Sequence, residues 1–186
     1  NLEEMIWSKR NKSGENVRSR HLFAAAITPE GYVSYTAALA QGYSQKYVLI
    51  GPPGSGKSQY LRALTSLACA NGIDSEVFHY PLDPRKILHV LFPQLDLAVF
   101  TALEKDPLRE IEGEILDFGI DLPSQQDQDD RLLSQRLFNQ GILALQDAQK
   151  AHLKLEGYYA AQMDFPALDR YRQQVLDQIL DYKNLS

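Results

Sequence analysis

The sequence predicts an α/β fold, a three-layer domain with a mainly parallel sheet that is followed by a C-terminal antiparallel helical hairpin. An apolar run at 46–50 precedes a glycine-rich loop, and apolar residues at helical spacing follow that loop. Two more apolar runs, at 76–80 and 95–100, are typical of buried strands. Residues 125–159 lack proline and carry small and apolar residues seven positions apart, which favours a long helix.

The glycine-rich loop matches the phosphate-loop pattern G-x-x-x-x-G-K-[ST] at every fixed position. The predicted binding residues are Gly51, Pro52, Pro53, Gly54, Ser55, Gly56, Lys57, Ser58 and Gln59. Glycines remove the Cβ atoms that would stop several backbone N–H groups from converging on a phosphate. The N-terminus of the following helix adds unpaired N–H groups and the positive end of its dipole. The pattern therefore predicts a nucleotide-binding loop, and a chance glycine-rich turn is the alternative.

Two side chains of the loop have expected roles in chemistry. Lys57, the first candidate catalytic residue, reaches the β- and γ-phosphates, and the Ser58 hydroxyl is the predicted ligand of Mg²⁺. We expect the nucleotide to be ATP, because the sequence has no N-K-x-D segment of the kind that reads guanine. ATP and Mg²⁺ are therefore the predicted cofactors.

An acid that helps to hold Mg²⁺ through water usually ends a neighbouring strand in proteins with this loop. The run at 95–100 is instead followed by Thr101, and the nearest carboxylates are those of Asp96, Glu104 and Asp106. We expect either that one of them substitutes or that the metal site is incomplete.

Asp83 is the first candidate for a substitute acid and the second candidate catalytic residue. It follows the predicted strand at 76–80, and ligands of open α/β sheets sit beyond the carboxyl ends of strands. If that strand lies beside the loop strand, His79 and Asp83 approach the phosphates. The alternative for Asp83 is ordinary turn chemistry, because Asp before Pro is common in turns.

The chain divides into three predicted segments. Residues 1–20 are polar and partly basic, and we expect a linker or a disordered N-terminal segment. Residues 21–123 form the nucleotide-binding core, in which Thr28, Pro29 and Glu30 match the start of a helix. Residues 124–186 form the helical hairpin.

The hairpin is predicted from two apolar stripes around one short turn at 164–166. The first stripe consists of Leu137, Gly141, Ala144, Ala148, Ala151, Leu155 and Tyr158. The second consists of Leu168, Tyr171, Val175, Ile179 and Tyr182. We expect the stripes to pack against each other, with close approach at the small residues.

Composition excludes some function classes. The net charge of −5 argues against a nucleic-acid-binding surface. No apolar run reaches 18 residues and no signal peptide opens the chain, so we expect a cytoplasmic protein without membrane contact.

Several segments resemble one bacterial family within the P-loop NTPase superfamily. They are Arg20-His21-Leu22-Phe23, Ala26-Ile27-Thr28-Pro29-Glu30-Gly31, the loop at 51–58, Phe78-His79 with Asp83-Pro84, and Met163-Asp164-Phe165. The chain is similar, from about residue 20 onward, to the second, C-terminal domain of this uncharacterised family of tandem P-loop ATPase-like proteins. The resemblance implies a preceding tandem domain as a partner, and an Asp at the position of Thr101.

Three functions follow from these expectations. The first is an ATP-binding domain with weak or partner-dependent hydrolysis, which couples nucleotide state to the hairpin and contacts the tandem domain or another copy through it. The second is a kinase that transfers phosphate from ATP to a nucleotide or another small molecule, with Arg131 and Arg136 as lid arginines. The third is a scaffold in which the loop is only structural.

Overall fold

A computed structural model of the chain describes residues 2–8, 17–103, 111–119 and 125–184. The fold is mixed α/β, with a mostly parallel six-stranded sheet and C-terminal helices. The chain forms two compact units, residues 1–142 and 143–186. The division falls inside a long helix rather than at the predicted boundary between residues 123 and 124.

Strands and helices are mixed along the described part of the chain. The strands are β1 (Ser19–Leu22), β2 (Ala25–Thr28), β3 (Gly31–Ser34), β4 (Gln45–Ile50), β5 (Ser75–Tyr80), β6 (Asp83–Phe92), β7 (Leu97–Thr101) and β8 (Glu114–Asp117). The helices are α1 (Leu2–Ser8), α2 (Thr36–Gln41), α3 (Lys57–Ala70), α4 (Gln125–Ala160) and α5 (Phe165–Asn184).

The six strands of the main sheet lie in the order β1-β5-β6-β7-β4-β8, and β2 pairs with β3 in a separate hairpin. Strand β4 pairs in parallel with both β7 and β8. Strand β6 is antiparallel to its two neighbours, β5 and β7. The predicted strands at 46–50, 76–80 and 95–100 are confirmed. The strands that were not predicted are β1, β2, β3, β6 and β8.

Side chains on the two faces of the sheet enter two apolar clusters. Leu97 and Val99 of β7 share a cluster with Leu61 and Leu64 of α3. Ala98 and Phe100 enter the other cluster, with residues of α2. Successive side chains of a strand alternate between faces, so Thr101 at the end of β7 belongs to the face that α3 covers.

The prediction of a linker at residues 1–20 is wrong where the structure describes them. Leu2 and Ile6 of α1 are 3% and 0% exposed and belong to the same cluster as α3. Burying two such side chains stabilises the fold by about 1.5–3 kcal/mol each, which ties α1 to the core. The Arg20 guanidinium forms an ion pair with Glu76 at 2.7 Å. Residues 9–16 lie outside the described part of the chain.

The predicted helix start at Thr28 is a hairpin turn. The Thr28 hydroxyl donates to the Gly31 carbonyl at 3.1 Å and accepts the Glu30 N–H at 3.2 Å. Gly31 has a φ of 113°, which favours glycine. Residues that cap helices also form turns, and here the pairing of β2 with β3 favours the hairpin turn over a helix start. The helix begins only at Thr36.

The two C-terminal helices are present as predicted, but α5 begins at Phe165, inside the predicted turn at 164–166, and the described side chains of the two stripes are not buried. Leu137, Tyr158, Tyr171 and Ile179 are between 57% and 68% exposed. Ala148 and Ala151 are also exposed, and Gly141 has open space where a Cβ would stand. Tyr182 lies outside the described side chains. In the described part of the chain, no helix is both long and apolar enough to cross a membrane.

Candidate phosphate-binding site

The glycine-rich loop connects β4 to α3, as predicted. Gly51, Gly54 and Gly56 have φ values of 139°, 87° and 91°, which side chains disfavour. A Cβ on Gly51 would also stand 3.0 Å from the Ser55 Oγ and 3.1 Å from the Phe118 Cβ. Around Gly54 and Gly56 the space is open, so the backbone of the loop is accessible to a ligand.

Lys57 folds over the loop. Its Nζ donates to the carbonyls of Gly51 and Pro52, at 2.6 and 2.8 Å, and to the Ser55 Oγ at 3.1 Å. These three bonds use all three ammonium protons. Burial lowers the pKa of Lys57. All three acceptors are uncharged, so an anion would compete strongly for this ammonium.

Ser58 and Gln59 lie in the first turn of α3. The Ser58 Oγ accepts the N–H of Ile87 in β6 at 2.9 Å, which fixes the hydroxyl above the sheet. A hydroxyl keeps its proton and a second lone pair in this arrangement, so Ser58 retains the capacity to bind a cation. Gln59 is exposed, as is Pro53 in the loop.

Thr101 occupies the end of β7, where its backbone pairs with Leu49 of the loop strand. The residue is only 3% exposed. Within the described residues its Oγ1 has no hydrogen-bond partner. A buried polar atom without a partner costs about 1–3 kcal/mol of stability, which makes this hydroxyl unusual.

His89 holds the backbone of this strand end. Its Nδ1 accepts the Thr101 N–H at 3.3 Å, so the proton of the neutral ring lies on Nε2. That nitrogen donates to the Thr36 Oγ1 at 3.3 Å, and Thr36 shares a 2.8 Å hydrogen bond with Ser34. Burial lowers the pKa of His89 to about 3. Sequence reasoning missed this residue, whose only signal is one histidine within a long apolar run.

The predicted role of Asp83 required the strand at 76–80 to lie beside the loop strand, and it does not. Strands β6 and β7 lie between β5 and the loop strand β4, and Asp83 itself begins β6, two strand spacings or roughly 10 Å from β4. The Asp83 carboxylate accepts bonds from the Arg85 side chain at 2.9 Å and backbone at 3.2 Å. The bond from the Arg85 side chain keeps the pKa of Asp83 below its usual value. His79, the other residue expected there, instead bonds His21 at 2.8 Å between ring nitrogens.

Of the other acids near β7, Asp96 is the one that the structure describes, and it lies away from the loop. Asp96 precedes β7 at the edge opposite the loop and accepts the Ser44 N–H at 3.0 Å as well as the Ser44 hydroxyl. Glu104 and Asp106 lie outside the described residues. Across the described residues, no group of three or more His, Cys, Asp and Glu side chains could hold a metal ion.

Asp117, which was not predicted, ends β8 beside Ile50 of the loop strand. Leu116 and Phe118 pack into the cluster on the α3 face, so the Asp117 side chain belongs to the opposite face. Its Oδ1 accepts the Gly119 N–H at 3.1 Å.

The geometry could bind an anion, and the neighbouring carboxylate of Asp117 lies on the sheet face opposite α3. An open glycine loop, the partly buried ammonium of Lys57 and the N-terminus of helix α3 converge at the carboxyl end of β4. The candidate lid arginines, Arg131 and Arg136, are exposed on α4. No protein-family model, curated protein or solved structure matches this chain.

Proposed function

We propose that this chain is an ATP-binding P-loop NTPase domain that uses Mg²⁺ and whose hydrolysis is weak or depends on a partner. The observation that carries the proposal is the position of the Lys57 ammonium, held by three neutral acceptors inside an open glycine loop. Phosphate oxygens are stronger acceptors than carbonyls for an ammonium. Mg²⁺, when bound, would neutralise charge on the phosphates, and Ser58 would be its protein ligand.

We expect slow hydrolysis because Thr101, at the strand end beside the loop, carries no charge. Phosphoryl transfer depends mainly on positioning and on electrostatic stabilisation of the transferred group. Thr101 is uncharged, and the carboxylates of Asp83 and Asp96 are engaged elsewhere. We therefore expect turnover far below the median enzyme rate of about 10 per second. Transfer to a small-molecule acceptor has less support, because its candidate arginines are exposed on α4.

The test compares two lysine variants by calorimetry with ATP and Mg²⁺. Lys57→Ala removes a charge-assisted hydrogen bond worth about 1.5–3 kcal/mol, so ATP affinity should fall about 10- to 150-fold. Lys154→Ala, which removes an exposed lysine of α4, is the matched control and should bind like the wild type. Equal affinities for the three proteins would refute nucleotide binding by the loop.

Product analysis separates the candidate reactions. Wild-type protein is incubated with ATP and Mg²⁺, with and without nucleoside and nucleotide acceptors. Acceptor-independent ADP supports an ATPase, ADP formed only with an acceptor supports a kinase, and binding without ADP supports a nucleotide-dependent scaffold.

The C-terminal helices support a contact with another copy of the chain, which we propose as a second role. The large apolar side chains of their stripes are exposed, and exposed apolar patches are typical of interaction sites. Helix α5 carries three acids and three bases, so two copies would not repel each other through it. We expect a dimer by light scattering, which Ile179→Lys would dissociate and Gln174→Lys, on the polar face, would not. A monomeric wild type would refute the dimer. The partner of the helices would then be the tandem domain that the resemblance implies.

A further inference from the structure

A buried hydroxyl beside the phosphate loop has no partner in the described part of the chain. The Thr101 Oγ1 combines 3% residue exposure with the absence of any hydrogen bond among the described residues. Native proteins leave few buried polar atoms unpaired, because each one destabilises the fold. An isosteric valine would avoid that loss, so the hydroxyl points to a function that the unliganded fold does not use.

The backbone places this hydroxyl on the same side of the sheet as Ser58. The alternation of side chains along β7 assigns Thr101 to the face that α3 covers. The Ser58 Oγ is bonded to Ile87, which lies in β6, the strand beside β7. In the register in which His89 pairs with Phe100, Ile87 lies beside the end of β7. Both hydroxyls therefore occupy the carboxyl end of the parallel strands, where the loop also lies.

His89 fixes the position of Thr101 without using its hydroxyl. The ring accepts the Thr101 backbone N–H and donates to Thr36, so the strand end is tied to α2. A fully buried neutral ring that is bonded at both nitrogens has little freedom to move. The Thr101 Oγ1 is thus held in place without a hydrogen bond among the described residues.

We infer that the Thr101 hydroxyl contacts the hydrated divalent cation that accompanies the nucleotide. This inference rests on the proposed function, since it assigns a second residue to the same site. Mg²⁺ keeps several waters when bound to proteins, and a threonine hydroxyl accepts or donates a hydrogen bond to such a water. The contact carries no charge, which fits an ATP-binding site that binds its cation and hydrolyses slowly.

The experiment measures thermal unfolding without nucleotide and ATP affinity with Mg²⁺ or with EDTA. Thr101→Val removes the unpaired hydroxyl, so the midpoint of unfolding should rise by about 3–6 °C. Its ATP affinity should fall about tenfold with Mg²⁺ and stay within twofold in EDTA. Thr101→Ser, which keeps the hydroxyl, should restore the Mg²⁺-dependent affinity.

Thr36→Val is the matched control, because the Thr36 hydroxyl is bonded to His89 and Ser34. The same substitution there should lower the midpoint of unfolding rather than raise it. A Thr101→Val variant that melts at or below the wild-type temperature overturns the inference, since the hydroxyl then has a structural partner. Equal loss of affinity in EDTA also overturns it, because the contact is then to phosphate. A wild type that binds no ATP refutes the proposed function itself, whereas wild-type binding that Thr101→Val leaves unchanged refutes only the cation contact.

Discussion

His89 should make the fold sensitive to acid well above the pH at which carboxylates titrate. Its pKa is about 3 in the folded protein, because burial disfavours the charged ring, and about 6.5 in the unfolded chain. The stability associated with a neutral His89 is fully present above pH 6.5 and is lost as pH falls towards 3. At pH 5 the unfolded chain has gained this proton and the folded protein has not. The free energy of unfolding should then be about 2 kcal/mol lower than at pH 8 from this residue alone.

Urea unfolding at pH 8, 7, 6 and 5 measures this effect, with His89→Gln as the reference. Glutamine can both accept from the Thr101 N–H and donate to Thr36, but it does not titrate. Burial also lowers the pKa of His79, so the two proteins share that contribution and their difference isolates His89. A difference between wild type and His89→Gln that is constant from pH 8 to pH 5 would refute the assignment of a buried neutral ring.

Three further predictions concern the loop and the strand end. Because burial lowers the pKa of Lys57, ATP affinity should fall as pH rises towards 10, before an ordinary lysine with a pKa of 10.5 would lose its proton. Calorimetry at alkaline pH in two buffers of different ionisation heat should also show proton uptake on ATP binding; the absence of uptake would contradict the lowered pKa of Lys57. Gly51→Ala places a Cβ 3.0 Å from the Ser55 Oγ at a φ of 139°, so it should destabilise the fold by about 1–3 kcal/mol in urea unfolding. The reference is Gly54→Ala, which has the positive φ without the contact and should lose less. Thr101→Asp should raise steady-state ATP hydrolysis while Asp83→Asn leaves it unchanged; loss of activity in Asp83→Asn would show that Asp83 reaches the site after all.

Local sequence was sufficient for the strand, loop and helix at residues 45–70. Glycines at three positive φ positions, an apolar run before them and helical spacing after them each act within a few residues. The same short-range signals located β5, β7 and the two C-terminal helices. They misplaced the start of α2, because the Thr28 segment satisfies the local rules for both a helix start and a hairpin turn.

Pairing between distant segments decided the strand order and the parts of the site that the sequence did not predict. Strands β6 and β7 separate β5 from the loop strand, and Asp83 itself begins β6, so Asp83 does not have the place that its sequence context suggested. The burial of α1 depends on contact with α3, more than fifty residues later, which a polar and basic segment does not reveal. The burial of Thr101 and of the His89 ring depends on the contacts among β6, β7 and α2. Local preferences select among a few backbone conformations, whereas burial and hydrogen bonding of a side chain depend on which segments lie next to it in space.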